Sequence, residues 1–364
     1  MTEIRPLRLL LKAAVLFILA NLLFAAWNPP VGRISIYNTL LPGRTRFPFG
    51  EGVTDSNITV DDMDAMFASH VIAAPKAPGE YRVVIIGDSS IWGTLLRADE
   101  TLDAQLNRTS FACTDKTLRF YNLGYPHPSV LQDLYILNRA LQYQPDMVIW
   151  PVTPNSLRPK ALNTFLLENY ESVKAFIQEK SLDYSDQDIP PQPPTFFDRT
   201  IIGQRSQLSR LFLLQSLALP WASTGLDMNP AATYEKLSND LGSSLDFGNL
   251  HPGGNLRRVL LLNYLKTGVH MSADVPMLFV NEPMYLPTGK NTDRRYNAMV
   301  PRWAYDQYRQ IMSRQMEFNG WHYTDLWNIA PPQDFTDYEL HLSPHGEQLF
   351  AAALKTPIQK IACP

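Results

Sequence analysis

An alternation of strand-like and helix-like segments, which begins at Tyr81, constrains the fold more than any other feature of the sequence. Apolar residues recur at helical spacing between the strand-like runs and after them, and a closing helix is predicted from residue 343 onward. Strands that alternate with helices indicate a parallel, doubly wound α/β sheet. The predicted strands are RVVIIG at 82–87, TLRFYNLG at 117–124, PDMVIWPV at 145–152 and DVPMLFVNEP at 274–283, with WHYTDLW at 321–327 as a last strand or loop.

The N-terminal segment predicts a membrane-spanning helix. Residues 7–27 are apolar apart from Arg8, Lys12 and Asn21, and about 20 apolar residues suffice to cross a bilayer. The basic residues lie at the N-terminal end, which the positive-inside rule keeps in the cytoplasm, and Trp27 stands where interfacial aromatic residues are common. A cleaved signal peptide has a similar length and charge. Because no clean Ala-x-Ala site follows, we favour an uncleaved anchor. Under both interpretations the remaining chain is extracytoplasmic, either periplasmic or at the cell surface.

Composition divides the chain into further regions. Residues 1–28 form the cytoplasmic tip and the anchor, and the Pro- and Gly-rich residues 29–80 are predicted to form a stalk and a lead-in that packs across the domain. Residues 81–364 hold the α/β domain, which is interrupted at about 156–272 by an insertion that we interpret as a cap. The apolar segment at 209–223 in this insertion is either a helix buried in the cap or a helix at the membrane surface.

Charge and cysteine content exclude several classes of function. The formal net charge of −3 and the pI near 6.2 provide no basis for binding nucleic acid. Cys113 and Cys363 match no zinc or Cys-x-x-Cys spacing, so the sequence predicts no metal site and no cofactor. Outside the cytoplasm these cysteines form either one disulfide that ties down the C-terminus or two free thiols.

Ser89 is the candidate nucleophile. It ends a Gly-Asp-Ser tripeptide directly after the first predicted strand, and open parallel sheets bind ligands beyond the carboxyl ends of their strands. A serine hydroxyl needs a neighbouring base, which His341, just before the closing helix, supplies near neutral pH. Acyl transfer also needs donors for the developing oxyanion. The backbone N–H of Gly124 and the side-chain amide of Asn155, after the second and third predicted strands, are the candidates.

With these residues in this order, the sequence resembles the SGNH, or GDSL-type, hydrolase superfamily. The resemblance lies in four blocks, IIGDSS, YNLGYP, PDMVIWPVTPN and HLSPHG, and covers about residues 82–155 and 275–355. It implies a flavodoxin-like sheet, with Ser89 as the nucleophile and His341 as the base. The oxyanion hole that it implies is formed by the backbone of Ser89, by Gly124 and by Asn155.

Two positions depart from the pattern of that superfamily. An aspartate usually stands three residues before the histidine, where this chain has Tyr338. Asp337 is our preferred third member, since a bulge absorbs one extra residue; Glu339 and a two-residue mechanism are the alternatives. The third block reads Thr-Pro-Asn-Ser instead of Gly-x-Asn-Asp, which affects the direction of the Asn155 amide. His345 is an alternative base whose place in the first turn of the closing helix suits a capping or surface role better.

These features predict an extracytoplasmic serine acyl-esterase or O-acyltransferase that acts on a cell-envelope or exported glycan. Asp88 and Glu282 are candidate substrate-binding residues, with Glu282 at the rim of the crevice. Anchored members of the superfamily that acylate or deacylate envelope glycans have a similar layout. The resemblance therefore implies a membrane-bound acyltransferase as a partner, beside the lipid bilayer and the acylated substrate. The rival hypothesis, motivated by the two departures, is a non-catalytic SGNH-like binding or scaffold subunit of an envelope membrane complex.

Overall fold

A five-stranded parallel sheet forms the centre of the protein in a computed structural model, which describes residues 5–50, 57–113, 115–184, 195–229 and 237–363. The first four strands coincide with apolar runs of the sequence, because β-branched and aromatic residues fit a sheet that is buried on both faces, whereas the last strand is polar and only partly buried. The strands are β1 (Glu80–Gly87), β2 (Thr117–Gly124), β3 (Met147–Pro151), β4 (Met277–Asn281) and β5 (His322–Asp325).

Helices connect and cover these strands. Those before β2 are α1 (Pro6–Trp27), α2 (Met63–Ser69), α3 (Ser89–Trp92) and α4 (Leu102–Arg108). Those between β2 and β4 are α5 (Val130–Ala140), α6 (Thr164–Glu168), α7 (Tyr170–Glu179), α8 (Arg205–Thr224) and α9 (Leu262–Ser272). The last two are α10 (Arg302–Asn319) and α11 (Pro344–Ala362).

The strand order β2-β1-β3-β4-β5 creates a switch point between β1 and β3. From β1 the chain crosses outward to β2, and from β2 it crosses back over β1 to β3. The connections that follow these two neighbouring strands therefore leave in opposite directions, and a crevice opens beyond their carboxyl ends. Ligands of open parallel sheets bind in such a crevice. Ser89 follows β1 and Asn155 follows β3, so the two residues flank the switch point.

Alternate side chains of β1 enter two separate cores. Val83 and Ile85 pack on the side of α4 and α11, whereas Val84 and Ile86 pack on the side of α5, α9 and α10. All four side chains are fully buried. Helices on both faces confirm the predicted doubly wound α/β class.

Residues between the anchor and β1 pack on the domain over much of their length. Phe47, Phe67 and Ile72 are fully buried in the core on the side of α5. The indole Nε1–H of Trp92, at the end of α3, donates a hydrogen bond of 2.9 Å to the carbonyl oxygen of Phe47. The lead-in therefore supports the segment that carries Ser89, and the part from about residue 44 onward is not a free stalk.

The predicted insertion contributes more to the fold than a cap would. Phe165 in α6 and Val173 in α7 are buried in the main core. Helix α9 is the crossover helix that leads into β4 and packs beside α5. The insertion therefore ends before α9 rather than at about residue 272, because the sheet needs that helix to cover β3 and β4.

Helix α1 projects from the domain and is long and apolar enough to cross a membrane, as an anchor or as a signal sequence. Its buried residues are Asn21 and Ala25. The Asn21 Oδ1 atom accepts a hydrogen bond of 3.1 Å from the backbone N–H of Ile202, which lies shortly before α8. The C-terminal half of α1 therefore contacts the inserted region.

A disulfide joins Cys113 to Cys363, with the two Cα atoms 5.3 Å apart. Cys113 lies shortly before β2 and Cys363 directly follows α11. Of the two alternatives that the sequence leaves open, the structure has the bridge, which ties the end of the chain to the edge of the sheet.

Candidate active site

A continuous chain of hydrogen bonds joins Ser89, His341 and Asp337. The His341 Nε2 atom lies 2.9 Å from Ser89 Oγ, and the His341 Nδ1 atom lies 2.9 Å from Asp337 Oδ1. The imidazole is 8% exposed and Ser89 is partly exposed, so the hydroxyl is open to a ligand while its base is shielded from water. This is the geometry in which a histidine removes the proton of a serine hydroxyl while a carboxylate orients the ring.

Ser89 is held at the start of α3, directly beyond the carboxyl end of β1. The Asp88 carboxylate caps this short helix by accepting a 3.0 Å hydrogen bond from the Ser90 N–H. Gly93 ends the helix in a left-handed conformation with φ of 83°, which glycine adopts without a Cβ penalty. The direction of the Ser89 side chain is therefore set by a cap on one side and a glycine turn on the other.

A tight loop brings Asp337 to His341 despite the extra residue. Phe335 and Leu342 form an antiparallel bridge, and inside it the Thr336 N–H donates to the His341 carbonyl oxygen at 2.9 Å. Burial alone would raise the pKa of Asp337, but the hydrogen bond and the charge interaction with His341 outweigh it and lower that pKa. Asp337 is therefore ionised near neutral pH and holds the ring in the tautomer that leaves Nε2 free to accept a proton.

Neither Glu339 nor His345 takes part in this chain. The Glu339 side chain is 6% exposed, and burial raises the pKa of its carboxyl group. The His345 Nδ1 atom lies 3.0 Å from Asp334 Oδ2, and the His345 side chain is largely exposed. Of the two carboxylates considered from the sequence, Asp337 contacts His341, and His345 has the surface position expected for it.

The Asn155 amide and the Ser89 backbone remain available as oxyanion donors. A box of hydrogen bonds holds the turn that presents Asn155: the Thr153 N–H donates to Ser156 Oγ at 3.1 Å, and the Ser156 N–H donates to Thr153 Oγ1 at 3.0 Å. Within the described parts of the chain, neither the Asn155 side chain nor the Ser89 N–H has a hydrogen-bond partner. The Thr-Pro-Asn-Ser block thus forms a rigid turn of its own.

Gly124 does not present its N–H to the crevice as the sequence analysis expected. That N–H donates a 3.0 Å hydrogen bond to Asn122 Oδ1, because the short Asn122 side chain folds back on its own strand. Gly124 instead permits close packing: a Cβ atom at this position would lie 2.5 Å from the backbone nitrogen of Trp92. The glycine therefore allows the end of β2 to approach α3. Of the three oxyanion donors expected from the sequence, the Ser89 N–H and the Asn155 amide are the two without a partner in the described part of the chain.

Asp88 and Glu282 lie beneath Ser89, so Glu282 is not at the rim of the crevice. They are 6% and 4% exposed, and both contact Ser90, whose Oγ atom lies 3.0 Å from Asp88 Oδ1 and 2.6 Å from Glu282 Oε2. Burial and the neighbouring Asp88 raise the pKa of Glu282 well above its ordinary value. One hydroxyl proton cannot serve two acceptors, so a protonated Glu282 donates to Ser90 and Ser90 donates to Asp88.

Two further polar side chains, Ser90 and Asn122, support α3 and were not predicted from the sequence. The only sequence signal for Ser90 is its place next to the candidate nucleophile, since its partner Glu282 is 192 residues away along the chain. Asn122 Nδ2 donates to the Ile91 carbonyl oxygen at 2.6 Å and to Asp103 Oδ1 at 3.1 Å. An asparagine inside an apolar strand is the signal that marks Asn122. Both side chains anchor α3 from below.

Within the described ranges, no group of three or more His, Cys, Asp or Glu side chains is placed to hold a metal ion. The side chains that the structure brings together at Ser89 are a serine hydroxyl, an imidazole and a carboxylate.

Comparisons with known proteins show similarity at the level of solved structures. No family model matches the chain, and no curated protein matches its sequence. The chain is similar to the structure of a lipase/acylhydrolase from Enterococcus faecalis, with 14% identity, a TM-score of 0.38 and coverage of 77% of this chain and 96% of that one. It is also similar to a carbohydrate acetylesterase from Sinorhizobium meliloti, with 11% identity, a TM-score of 0.34 and coverage of 77% and 99%. It is also similar to an aryl esterase from M. smegmatis, with 12% identity, a TM-score of 0.35 and coverage of 77% of this chain and 99% of that one. With TM-scores below 0.5, this distant likeness to GDSL-type and related esterase structures carries no activity over to this chain.

Proposed function

We propose that the protein is a serine acyl-esterase or O-acyltransferase that works through an acyl-enzyme on Ser89. The observation that carries this proposal is the chain of two 2.9 Å hydrogen bonds from Asp337 through His341 to Ser89. An ordinary surface serine is not paired with a buried histidine that is itself bonded to a carboxylate. Such a chain serves to remove the hydroxyl proton as the oxygen attacks.

In the proposed cycle, His341 accepts and returns each proton that is transferred. Ser89 Oγ attacks the ester carbonyl carbon while its proton moves to His341 Nε2, and Asp337 stabilises the resulting imidazolium. The Ser89 N–H and the Asn155 amide stabilise the oxyanion. Collapse of the tetrahedral intermediate breaks the ester bond, and the leaving alkoxide takes the proton from His341. Water or an acceptor hydroxyl then attacks the acyl-enzyme while its proton moves to His341. Collapse of this second intermediate breaks the bond between Ser89 Oγ and the acyl carbon, releases the acid or the new ester, and returns the proton from His341 to Ser89 Oγ.

We further propose that this chemistry takes place outside the cytoplasm on an envelope or exported glycan. Two features support the location: α1 is apolar enough to anchor the domain to a membrane, and the Cys113–Cys363 disulfide belongs to an oxidising compartment. An anchored enzyme suits a substrate that stays at the cell surface. A membrane-bound acyltransferase that delivers the acyl group is the partner we propose for the transfer reaction.

Labelling with a fluorophosphonate tests the catalytic part of the proposal. Full-length protein in detergent micelles should take up one adduct, seen by intact mass, and Ser89→Ala and His341→Gln should abolish it. His345→Gln is the matched control, because this neighbouring histidine pairs with Asp334 and should leave the adduct in place.

Absence of an adduct on folded wild-type protein would support the non-catalytic subunit instead. One observation favours that second function: the Gly124 N–H is already bonded to Asn122 and does not face the crevice. A binding site for an acylated glycan would need no activated serine and would tolerate this arrangement.

Hydrolysis and transfer are distinguished by the fate of the acyl group. The protein should be given an activated acetyl ester in the presence and absence of an acetyl-free envelope glycan. A hydrolase releases free acetate in both mixtures, whereas a transferase produces acetylated glycan, seen as added mass on its oligosaccharides. Ser89→Ala should do neither.

A further inference from the structure

Beyond its first two turns, which carry the exposed Arg205 and Arg210, the outward face of α8 is free of charge. Residues 211–226 contain no charged side chain, although this stretch covers most of a surface helix. Phe212 is 75% exposed, Leu213 44% and Leu219 65%. Ser209, Ser216 and Ser223 are exposed on the same face, and Arg205 stands at its N-terminal end. A surface helix of a globular protein normally directs charged residues away from the core, so this face differs from one that meets only water.

The opposite face of α8 packs against the domain. Leu214 and Ala218 are fully buried, and Trp221 is 6% exposed, in a small core shared with the lead-in. The Ile36 N–H donates a 2.8 Å hydrogen bond to Gln215 Oε1 on this face. Rotation of the helix to bury Phe212 would break these contacts. The apolar outward face is therefore a fixed feature of the surface.

Helix α8 begins beside the outer end of α1. The backbone N–H of Ile202, three residues before α8, donates to Asn21 in α1. Residues 28–32, directly after α1, and residues 206–208 in the first turn of α8 line the same groove. Helix α8 runs for 20 residues, or about 30 Å, from this point. If α1 crosses a bilayer with its N-terminus in the cytoplasm, α8 starts at the level where the helix leaves the lipid.

The side chains around the start of α8 have the chemistry of a membrane interface. Phe196 and Phe197 are 46% and 58% exposed, and Trp27 at the end of α1 is 77% exposed. Arg199 and Arg205 are exposed in the same stretch. Aromatic rings and arginines together are typical of segments that lie among lipid headgroups, where the rings enter the acyl boundary and the guanidinium groups meet phosphates.

We infer that α8 is a second membrane contact, and that its outward face, formed by Phe212, Leu213 and Leu219, lies in the headgroup region of the bilayer that holds α1. A lipid surface fits this face, because the face is continuous with the anchor, carries no charge from residue 211 to 226, and begins among aromatic and arginine side chains. Two contacts fix the tilt of the domain on the membrane, whereas a single anchor leaves it free to turn. This inference rests on the proposed anchoring by α1 and is independent of the chemistry of Ser89.

Fluorescence quenching at single sites tests this contact. Phe212→Cys and Phe318→Cys are each labelled with an environment-sensitive fluorophore in the full-length chain. The native cysteines remain joined in their disulfide. Phe318, 88% exposed on α10, is the matched control for an exposed phenylalanine outside the proposed contact. Both proteins are reconstituted in vesicles of phosphatidylcholine and phosphatidylglycerol.

Spin-labelled lipid should quench the probe at position 212 and not the probe at 318. Aqueous iodide should quench position 212 at least about threefold less than 318, as expected for a site at the boundary of headgroups and acyl chains. Adding Leu219→Glu to the labelled Phe212→Cys protein should restore quenching by iodide, because a carboxylate opposes insertion of the face. Equal exposure of both sites to iodide, or equal quenching of both by spin-labelled lipid, would overturn the inference.

A docking site for another protein would give a different result. The vesicles contain only this protein and lipid, so a face reserved for a protein partner would stay open to iodide at position 212. That result would contradict the lipid contact without touching the proposed function, since labelling of Ser89 by a fluorophosphonate is measured separately.

Discussion

At the scale of single residues, the Asp337–His341 pair shows how a loop accommodates an unusual spacing. The four-residue separation fits because Thr336 and His341 are joined by a backbone hydrogen bond, so the residues between them form a compact turn. The Thr336 hydroxyl lies 3.2 Å from Asp337 Oδ1, the same oxygen that lies 2.9 Å from His341 Nδ1, and helps to fix the carboxylate. The spacing alone did not distinguish Asp337 from Glu339; the turn geometry does.

Exchange of these two carboxylates should have unequal effects. Asp337→Asn should lower kcat for an activated ester by about 100-fold or more, because the amide favours the wrong tautomer of His341 and cannot stabilise the imidazolium. Glu339→Gln should leave kcat close to the wild-type value, since Glu339 does not bond to His341. Steady-state kinetics in detergent measure both. A larger loss in Glu339→Gln than in Asp337→Asn would contradict the assignment of Asp337.

The Asn155 amide should stabilise the transition state more than it stabilises bound substrate. Asn155→Ala should lower kcat by about 10²–10³-fold with little change in KM, as expected when a donor to the oxyanion is removed. The turn should survive the substitution, because Thr153 and Ser156 hold it without the Asn155 side chain. An unchanged kcat in a protein with unaltered thermal stability would show that Asn155 does not face the reacting carbonyl.

His70 should make folding stability depend on pH. Burial lowers the pKa of His70 to about 4, and its ring is satisfied in the neutral form: Nδ1 accepts from the Ile72 N–H at 3.1 Å, and Nε2 donates to the Thr45 carbonyl oxygen at 3.0 Å. The folded pKa lies below the unfolded value, so the unfolded state binds the proton preferentially. Stability is therefore fully present above about pH 6.5, and about 3 kcal/mol is lost as the pH falls to about 4.

Denaturant titrations between pH 4 and pH 7 check this effect by comparing wild-type protein with His70→Asn. The variant should be less stable at pH 7, because one buried backbone partner loses its bond, and its stability should fall less steeply toward pH 4. If the stability of the two proteins changed in parallel with pH, the pKa of His70 would be the same in the folded and the unfolded protein.

At the scale of elements, a buried ion pair attaches the end of α8 to the lead-in. The Arg44 guanidinium lies 2.6 Å from the Asp227 carboxylate, and the two side chains are 2% and 4% exposed. Arg44 also donates to Asn57 Oδ1 at 3.0 Å and lies over the Trp221 ring, 5.2 Å from its centroid. These contacts hold α8 in the rotation that turns Phe212 outward.

Breaking that pair should be costly. Asp227→Ala leaves an unpaired guanidinium in the interior and should lower the free energy of unfolding by about 3–5 kcal/mol. The control is Asp99→Ala, which removes an exposed partner of Arg97 and should cost less than about 1 kcal/mol. Chemical denaturation of the full-length protein measures both. Equal losses would mean that the Arg44–Asp227 pair is solvated.

At the scale of the whole molecule, the disulfide joins two segments that are far apart in the chain. The bridge closes a loop between residues 250 positions apart and attaches the end of α11 beside β2. Residues of α11 cover the sheet on the face that carries Val83 and Ile85. Because the loop with His341 directly precedes α11, the bridge also stabilises the helix that follows His341.

Removal of the bridge should destabilise the domain without changing its chemistry. Cys363→Ser together with Cys113→Ser should lower the free energy of unfolding by about 2–5 kcal/mol, and the reactivity of Ser89 should persist at low temperature. Thermal unfolding with and without reductant provides the control: the reductant should lower Tm in the wild-type protein only. A wild-type Tm that is insensitive to reductant would contradict a stabilising role.

The sequence by itself determined the parts of this protein that depend on local pattern. The strands and the long helices follow from runs and periodicities of apolar residues, because each pattern matches a face that must be buried. Ser89 and His341 could be selected as a pair from their places after the first strand and before the last helix. The apolar N-terminal helix was equally clear, since a span of that length needs no tertiary contacts.

Only the tertiary structure decided how polar groups meet across distant segments. Glu282 looked like a rim residue because it follows a strand, but the Ser90 hydroxyl and Asp88 enclose it in the interior. The direction of the Gly124 N–H was decided by a neighbouring side chain, and the outward face of α8 by its contacts with the lead-in. Hydrogen bonds, pKa shifts and helix rotation depend on partners that are far apart in the chain, and periodicity carries no information about them.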